Sequence, residues 1–391
     1  METSDYLISI KKICRASETD AEKLVYGTDA SRIKGQAILV VWPENPEHLQ
    51  RLIRFVTRKK ASITIRGGGT GLVGSAVPQN SIVVDMSHFN KIKKINLGGE
   101  TVTAEAGVVL DELNDVLEGY GYEFSCNPGS HAACTIGGMI STNAAGMLTS
   151  KHGRAADKVA EMNIMDGTGK IFTIKGEEIS ELAGTEGALS IILDAKLKID
   201  KKKDLFNSVY EFENLTELLA KIDELKNDPE VEALEYINKT AAVIAGLDSR
   251  DYLLVKYSSP KGNTDKENSG EIWRLRENLY SVLVNAGFQR IEDPFIPEDS
   301  IGKFLLWLQN KNIPAYGHIS SGILHPHFRR NTKDIDELAE ITKQLKGRLA
   351  AEHGIGLLKK NFDSLFGAIK RIQNLKQKYD PFNILNRGKF K

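Results

Sequence analysis

A dense group of glycines occupies residues 66–74, which read R-G-G-G-T-G-L-V-G. Glycine adopts positive φ and lets backbone N–H groups approach a ligand closely, which is what a phosphate cradle requires. We therefore expect this loop to bind an anion such as a pyrophosphate. The loop contains G-x-G-x-x-G, but S-A-V-P follows at residues 75–78, where the helix of a Rossmann site would begin, and there is no lysine to make a P-loop.

A second stretch rich in small residues lies at residues 128–146. It contains P-G at 128–129, T-I-G-G at 135–138 and S-T-N-A-A-G at 141–146. Two separated backbone cradles suit a long dinucleotide, so the two glycine-rich segments together predict a dinucleotide site. A glycine turn without a ligand is the alternative for the first loop taken alone.

Histidines are concentrated in the segment 316–327, which reads Y-G-H-I-S-S-G-I-L-H-P-H. This pattern predicts two short strands joined by a two-residue turn at Ser321-Gly322. In that register His318 faces His325 with their Cβ atoms roughly 5 Å apart, and His327 shares their side of the hairpin. Histidines gathered in this way suit a divalent metal such as zinc, manganese or iron, with a nearby carboxylate completing the site. A packing role for the histidines without any metal is the alternative.

The composition excludes several classes of protein. Lys plus Arg and Asp plus Glu are both 52, so the net charge is zero, which argues against a nucleic-acid or anionic-membrane binder. The three cysteines have no C-x-x-C spacing, and four ligands for an iron–sulfur cluster are lacking. The N-terminus lacks a secretory pattern, and no apolar run is long enough for a transmembrane segment. We expect a cytoplasmic protein with reduced thiols.

The elements around these motifs follow an α+β pattern. The apolar run 37–42 predicts a buried strand, and a helix capped by Asn45 follows. The buried face of this helix should carry Leu49, Leu52, Ile53 and Val56. A strand at 63–65 then leads directly into the glycine loop. Further predicted elements are strands at 82–85, 101–104 and 161–165 and a helix at 110–118.

A second domain is indicated from about residue 204, where glycine becomes rarer and charged helical stretches appear. With 391 residues the chain is long enough for two packed cores. We place the boundary near 200–203. The predicted helices of the second domain are 215–227, 271–284 and 334–351.

The two glycine-rich segments, with G-T-E-G-A-L-S-I-I at 184–192, resemble the vanillyl-alcohol-oxidase-type (PCMH-type) FAD-binding family over most of residues 37–199. The resemblance implies a PCMH-type FAD-binding domain of two α/β subdomains at residues 1–200. A compact α+β substrate domain would follow at 201–391, with the final segment, about 345–391, returning towards the flavin. The cofactor-binding residues it implies are Arg66, Gly67, Gly68, Gly69, Thr70, Gly71, Leu72, Gly74, Pro128, Gly129, Thr135, Gly137, Gly138, Ser141, Asn143, Gly146, Glu186, Gly187 and Ile191.

Members of this family that bind flavin covalently often have a histidine in the first loop. None occurs between Arg66 and Val77, so we expect non-covalent FAD. His131 and His152 leave a covalent link as an alternative.

Two further motifs resemble the FAD-linked 2-hydroxyacid dehydrogenases, the group that includes the D-lactate dehydrogenases and the flavin-binding chain of glycolate oxidase. These are G-H-x-x-x-G-x-x-H at 317–325 and E-H-G-I-G at 352–356. The resemblance implies that His318, His325 and Glu352 are metal ligands. It also implies that His353 is the catalytic base.

The resemblance extends to W-x-x-R-E at 273–277 and to D-P-x-x-I-L-N at 380–386. The first implies that Arg276 binds a substrate carboxylate through its planar fork of donors. An ordinary salt bridge to Glu271, Glu277 or Asp293 is the alternative for Arg276. The second motif implies that Asn386, and with it Lys389, approaches the flavin.

The function implied is FAD-dependent oxidation of a small 2-hydroxy acid of the D-lactate, glycolate or 2-hydroxyglutarate type, by hydride transfer to flavin N5. Electrons would pass to an external acceptor: quinone, electron-transfer flavoprotein, cytochrome or oxygen. One alternative is a non-redox flavin enzyme of the alkyl-glycerone-phosphate synthase type. Another is a flavin subunit that needs an iron–sulfur partner subunit.

Overall fold

The computed structural model describes residues 3–261, 269–330, 332–362 and 365–390. The chain forms a mixed helix and sheet fold that divides into two compact units. Unit 1 contains Met1–Ala145, Gly153–Lys202 and Glu352–Lys391, and unit 2 contains Gly146–His152 and Lys203–Ala351. Within the described ranges, none of the helices combines the length and apolar character needed to cross a membrane.

The first sheet of unit 1 positions the glycine loop. The elements here are α1 (Thr3–Lys11), β1 (Arg15–Ser17), α2 (Asp20–Tyr26), β2 (Gln36–Trp42), α3 (Pro46–Arg58), β3 (Ile63–Arg66) and β4 (Gln79–Asp85). The strand order is β1-β2-β4-β3, and β2, β4 and β3 are parallel. The predicted strand–helix–strand order is confirmed: Asn45 caps the helix by accepting from His48 N at 2.9 Å, and the four predicted apolar residues are buried.

The second sheet of unit 1 is antiparallel. Its elements and their neighbours in the chain are β5 (Ile92–Asn96), β6 (Thr101–Glu105), α4 (Leu110–Glu118), β7 (Tyr122–Glu123), α5 (Ile136–Thr142), α6 (Thr149–His152, in unit 2), β8 (Val159–Asp166), β9 (Ile171–Lys175), α7 (Glu177–Leu182), β10 (Ser190–Lys198) and β11 (Asp200–Lys201). The strand order is β5-β6-β10-β8-β9. The predicted helix at 110–118 and the strands near 101–104 and 161–165 are confirmed.

Unit 2 is built on a second antiparallel sheet. The elements are β12 (Phe206–Phe212), α8 (Leu215–Lys226), β13 (Val231–Ile237), α9 (Lys239–Ile244), β14 (Asp251–Tyr257), α10 (Ser269–Asn285), β15 (Arg290–Ile291), α11 (Ile301–Asn310), β16 (Ala315–His318), β17 (Ile323–Phe328) and α12 (Asp334–Gln344), and α13 (Phe366–Tyr379) follows in unit 1. The strand order is β12-β14-β13-β16-β17-β15. The strand pair that carries the histidines therefore lies inside a larger sheet.

The helix predicted at 334–351 is too long, because α12 ends at Gln344. Beyond it the chain makes extended backbone contacts. Phe295 N donates to Arg348 O at 2.8 Å, and Ala351 N donates to Asp293 O at 3.1 Å. Charged residues gave this stretch a helical pattern, but backbone pairing with a distant segment determines its conformation.

The hairpin register predicted for the histidines is wrong. His318 pairs with Ile323, two residues before His325. The cause is the turn, which consists of a 3-10 turn at Ile319–Ser321 followed by Gly322 in the left-handed region. His318 and His325 are thus diagonal neighbours rather than directly opposed, and they still share one face because Ile323 and His325 are two residues apart.

Gly322→Ala should lower the free energy of unfolding by more than about 1 kcal/mol, because an L side chain is strained there. Its φ is +68°, and a Cβ would overlap the carbonyl oxygen of Ile296. Gly246→Ala is the matched control, since Gly246 has φ +83° and no described atom within 4 Å of an added Cβ. Urea unfolding of both variants measures the difference. Both positions have positive φ, so the larger loss expected for Gly322→Ala comes from the overlap with Ile296, and equal losses would contradict that close approach.

Candidate active site

The two glycine-rich segments pack directly against each other in unit 1. A Cβ on Gly67 would overlap the hydroxyl of Thr135, and one on Gly68 would overlap the carbonyl oxygen of Ala133. Glycine is therefore required at both positions so that the two backbones can approach. The cradles, which lie far apart in the sequence, thus form one continuous surface of backbone groups, which fits an extended dinucleotide.

The far side of the glycine loop is supported by residues 28–31, a segment that contains none of the motifs described above. Ala30 N donates to Gly69 O at 3.0 Å, and Ser31 N donates to Gly71 O at 3.1 Å. Asp29 accepts from Ala76 N at 3.2 Å, and burial raises the pKa of its carboxyl. The sequence signal for this segment was an acidic residue, Asp29, shortly before the predicted strand at 37–42.

Arg66 also supports this loop. Its Nη1 donates to Thr28 O at 2.6 Å, and its guanidinium lies 5.2 Å from the ring centre of Tyr26. A Cβ on Gly69 would overlap the same guanidinium. Arg66 thus contacts the protein side of the loop, and its expected contact with the cofactor remains a prediction.

The second cradle is shaped by α5. Thr135 caps this helix, and its hydroxyl accepts from Gly138 N at 3.3 Å. Asn143 ends it with φ +50°, and its side chain accepts from Ala156 N at 3.1 Å. Every residue expected to bind the cofactor belongs to unit 1 except Gly146, whose N–H donates to Thr149 Oγ1 at 2.7 Å within unit 2.

Glu186 is buried in unit 1, and its carboxylate is surrounded by donors. Ile355 N donates to it at 2.6 Å and Gly356 N at 3.0 Å, and the Ser75 hydroxyl donates as well. Burial raises the pKa of Glu186, while these donors oppose the shift. The E-H-G-I-G motif is therefore attached by its backbone to a residue that was expected to bind the cofactor.

Asn386 and Lys389 complete this buried group. Lys389 Nζ donates to Ser75 O and to Asn386 Oδ1, the latter at 3.0 Å, and the Asn386 amide donates to Glu186 O. Burial lowers the pKa of Lys389 to about 7, against the attraction of Glu186 and Asp29. Both side chains make protein contacts that sequence motifs alone did not indicate.

In unit 2, His318 and Arg276 share the buried carboxylate of Glu235. His318 Nδ1 lies 2.5 Å from Glu235 Oε1, and Arg276 Nη2 donates to Glu235 Oε2. Burial raises the pKa of Glu235, but the charges of Arg276 and His318 outweigh burial and lower it to about 2. Arg276 also lies 4.3 Å from the ring centre of Tyr316. Its ion-pair partner Glu235 was not among the alternatives drawn from the sequence.

His325 and His327 follow His318 on the same face of the sheet. The rings of His318 and His325 meet edge to face with their centres 5.4 Å apart. His327 Nδ1 lies 3.2 Å from Phe288 O, and its ring packs 5.4 Å from that of Tyr316. A carboxylate on one ring nitrogen, as Glu235 provides for His318, orients imidazoles that ligate metals. The donor set of this face therefore fits a metal.

Glu352 and His353 begin the last segment of unit 1. His353 Nε2 lies 3.2 Å from Glu352 Oε1. The preceding residue, Ala351, is the last residue of unit 2, and its N–H donates to Asp293 O and Oδ2 at 3.1 and 3.0 Å. The backbone is thus fixed immediately before the pair.

The two histidines considered for a covalent flavin link both contact carboxylates. His131 Nδ1 lies 2.8 Å from Asp111, and His152 Nε2 lies 3.1 Å from Glu232. Neither Glu232 nor Glu235 lies in one of the sequence motifs. The available signal was two acidic residues within the apolar strand β13, since charged residues are rarely buried without partners.

Gly68→Ala should reduce FAD retention at least about tenfold, because displacing the two cradles leaves backbone donors misplaced, at a cost of roughly 1–3 kcal/mol for each buried group. Gly98→Ala is the control, since an added Cβ there meets only Asn96 Oδ1 at 3.9 Å. Flavin absorbance per chain after gel filtration measures the effect. Full flavin content in Gly68→Ala would contradict the packing role.

Comparison with known proteins places these features in a family. Residues 37–175 match the FAD binding domain, and residues 224–390 match the C-terminal domain of FAD linked oxidases. The D-lactate dehydrogenase of Archaeoglobus fulgidus is 25% identical, covering 90% of this chain and 90% of that protein. The mitochondrial D-2-hydroxyglutarate dehydrogenase of Danio rerio is 24% identical, covering 90% of this chain and 78% of that protein.

Glycolate oxidase subunit GlcD of Bacillus subtilis is 23% identical, covering 99% of this chain and 96% of that protein. A solved structure of alkyldihydroxyacetonephosphate synthase has a TM-score of 0.71 at 16% identity, covering 100% of this chain and 85% of that one, which shows a shared fold. The two matched domains and the named homologues together show that this chain belongs to the FAD-linked oxidases.

Proposed function

We propose that this chain oxidises a small 2-hydroxy acid to the corresponding 2-oxo acid with bound FAD, and passes the electrons to an external acceptor. The observation that carries this proposal is the buried group of His318, Arg276 and Glu235 in unit 2. It combines an imidazole suited to a metal, that of His318, with a guanidinium suited to a carboxylate, that of Arg276. A 2-hydroxy acid offers both a hydroxyl and a carboxylate.

Unit 1 is proposed as the PCMH-type FAD-binding domain, with its two sheets as the two α/β subdomains, and unit 2 as the substrate domain. The joined cradles around Gly68 and Thr135 support FAD as the dinucleotide. Non-covalent binding is supported by the first loop, which lacks histidine, and by the carboxylate contacts of His131 and His152. Bound FAD supplies the hydride acceptor, at flavin N5, for the hydrogen on the substrate Cα.

His318, His325 and Glu352 are proposed to hold one divalent metal, either zinc, manganese or iron. Two imidazoles and one carboxylate are a donor set that these metals accept. Glu352 is proposed as the third ligand because its carboxylate would complete the set, and the backbone of its neighbour Ala351 is held by hydrogen bonds to Asp293. Such a metal would supply Lewis acidity at the substrate hydroxyl.

Arg276 is proposed to bind the substrate carboxylate. A guanidinium has five N–H donors, so it can bind Glu235 and a second carboxylate at once. The contact with Tyr316 and the ion pair with Glu235 fix the plane of the group before substrate arrives. This pre-organisation lowers the entropy cost of binding.

His353 is proposed as the base that accepts the hydroxyl proton as the Cα hydrogen leaves with its electron pair. The proton then resides on the imidazole, whose Nε2 lies 3.2 Å from Glu352. A carboxylate at that distance attracts a positively charged group. Glu352 would thus stabilise the charge that His353 gains.

Two alternatives differ in the chemistry of the flavin or in assembly. The synthase-type alternative shares the fold with this chain, and fold alone does not determine chemistry. The electron-transfer alternative is favoured by one homologue, which is named as a subunit. The chain has three cysteines, fewer than the four thiolates that usually hold an iron–sulfur cluster, so such a cluster would have to come from a partner subunit.

Purified protein should show anaerobic bleaching of its flavin by at least one member of a panel of D- and L-2-hydroxy acids. The matching 2-oxo acid should appear in an amount equal to the flavin reduced. Absence of bleaching with every acid would contradict the proposed function. A spectral change without 2-oxo acid, on adding an alkyl- or acyl-glycerone phosphate, would support the synthase-type alternative.

Chelation should abolish hydroxy-acid oxidation and leave FAD bound, and His325→Ala should do the same. His353→Ala should keep the metal and lose about 10² to 10⁴ in the rate of flavin reduction, because a positioned base contributes that much. His48→Ala, on α3 and outside the motifs, is the control for both. Metal analysis of protein without a histidine tag decides the matter. Less than about a tenth of a metal per chain, with full activity in chelator, would return these residues to packing roles.

A further inference from the structure

We propose that Glu186 is a positioning residue for His353. The inference rests on the proposed role of His353 as the base. Among the described residues of the E-H-G-I-G motif, the Glu186 carboxylate accepts hydrogen bonds from the backbone N–H groups of residues 355 and 356. Glu186 would act by holding the chain on which the base is carried.

The segment after His353 is fixed from two sides within unit 1. Glu186 accepts from the N–H groups of Ile355 and Gly356, and Val73 O accepts from Leu357 N at 2.8 Å and Leu358 N at 3.2 Å. Four consecutive N–H groups are thus engaged. The backbone two residues beyond His353 has little freedom to shift.

Close approach makes this attachment tight. A Cβ on Gly354 would lie 2.5 Å from Glu186 Oε1, and Gly354 has φ +86°. Position 354, next to the proposed base, therefore requires glycine for two reasons: the Glu186 carboxylate leaves no room for a Cβ, and the backbone of residue 354 has a positive φ. Any side chain at position 354 would push Glu186 and the base apart.

A carboxylate is the group that this position demands. Two backbone N–H groups and the hydroxyl of Ser75 point at it, and an ionised carboxylate is a pure acceptor. Glutamine would present an amide that donates towards one of these donors. Lys389, which is completely buried, lies close enough to Glu186 for the Coulomb attraction between them to oppose the effect of burial on the lysine pKa.

The same carboxylate joins the base to the flavin loop. Ser75 directly follows the loop, and its hydroxyl donates to Glu186 while its carbonyl accepts from Lys389. Glu186 thus sets the distance between the end of the cofactor loop and the segment that carries His353. A misplacement of about 1 Å at a reacting centre can cost about 10²-fold in rate.

Glu186→Gln should slow flavin reduction by the substrate identified in the panel about 10²-fold in single turnover, with substrate affinity within about threefold of wild type. Gly354→Ala, which disturbs the same contact from the other side, should do likewise. Glu178→Ala is the control, because Glu178 is an exposed carboxylate on α7, and its rate should match wild type. Amide hydrogen exchange at residues 355 and 356 should quicken in Glu186→Gln and not in Glu178→Ala.

The outcomes separate this inference from the proposed function. Wild-type bleaching with an unchanged rate in both variants overturns the positioning role and leaves the proposed function intact. Faster exchange with a rate within about threefold of wild type also overturns it, because Glu186 would then only stabilise the fold. A wild-type protein that reduces no flavin with any acid overturns the proposed function and, with it, this inference.

Discussion

A carboxylate buried away from water must be surrounded by donors or cations, and this constraint organises both units of the chain. Burial of an unpaired charge costs several kcal/mol, which is a large part of a typical domain's free energy of unfolding. Glu186 meets the constraint with backbone N–H groups, a hydroxyl and a neighbouring lysine. Glu235 meets it with Arg276 and His318.

The two buried carboxylates have different kinds of hydrogen-bond partners. The partners of Glu186 are mostly backbone groups, so it fixes the course of the chain rather than the side chains of a site. The partners of Glu235 are side chains with chemistry of their own. Its pKa of about 2 reflects how far the cationic partners outweigh burial, and it keeps the guanidinium and the imidazole in one orientation.

Backbone approach is the second constraint. Gly67 and Gly68 meet Thr135 and Ala133 at distances that leave no room for a Cβ. The glycines thus serve two purposes: they let the loop adopt the shape of a phosphate cradle, and they let the second cradle pack against it. Replacement at these positions would disturb the protein even before any cofactor is bound.

Most of the elements of this fold could be predicted from local pattern. The helix that Asn45 caps, the helix at 110–118 and the strands before and after the glycine loop depend on capping and on hydrophobic periodicity, which are local properties. The glycine motifs likewise identified the FAD binding domain, because the backbone conformations they need are restricted to few residue types. The resemblance of motifs, rather than composition, indicated the hydroxy-acid chemistry.

Tertiary structure alone decided the rest, for one physical reason: partners distant in sequence compete with local preference. Residues 345–351 have a helical pattern, yet residues 348–351 pair their backbone with residues 293–295 instead of continuing the helix. The turn at 319–322 sets the register of the histidines. The residue pair Ser321-Gly322, taken alone, predicted a shorter, two-residue turn. Glu186 and Glu235 acquire their roles only from residues far away in the chain, so no spacing in the sequence could reveal that each would be the centre of a buried network.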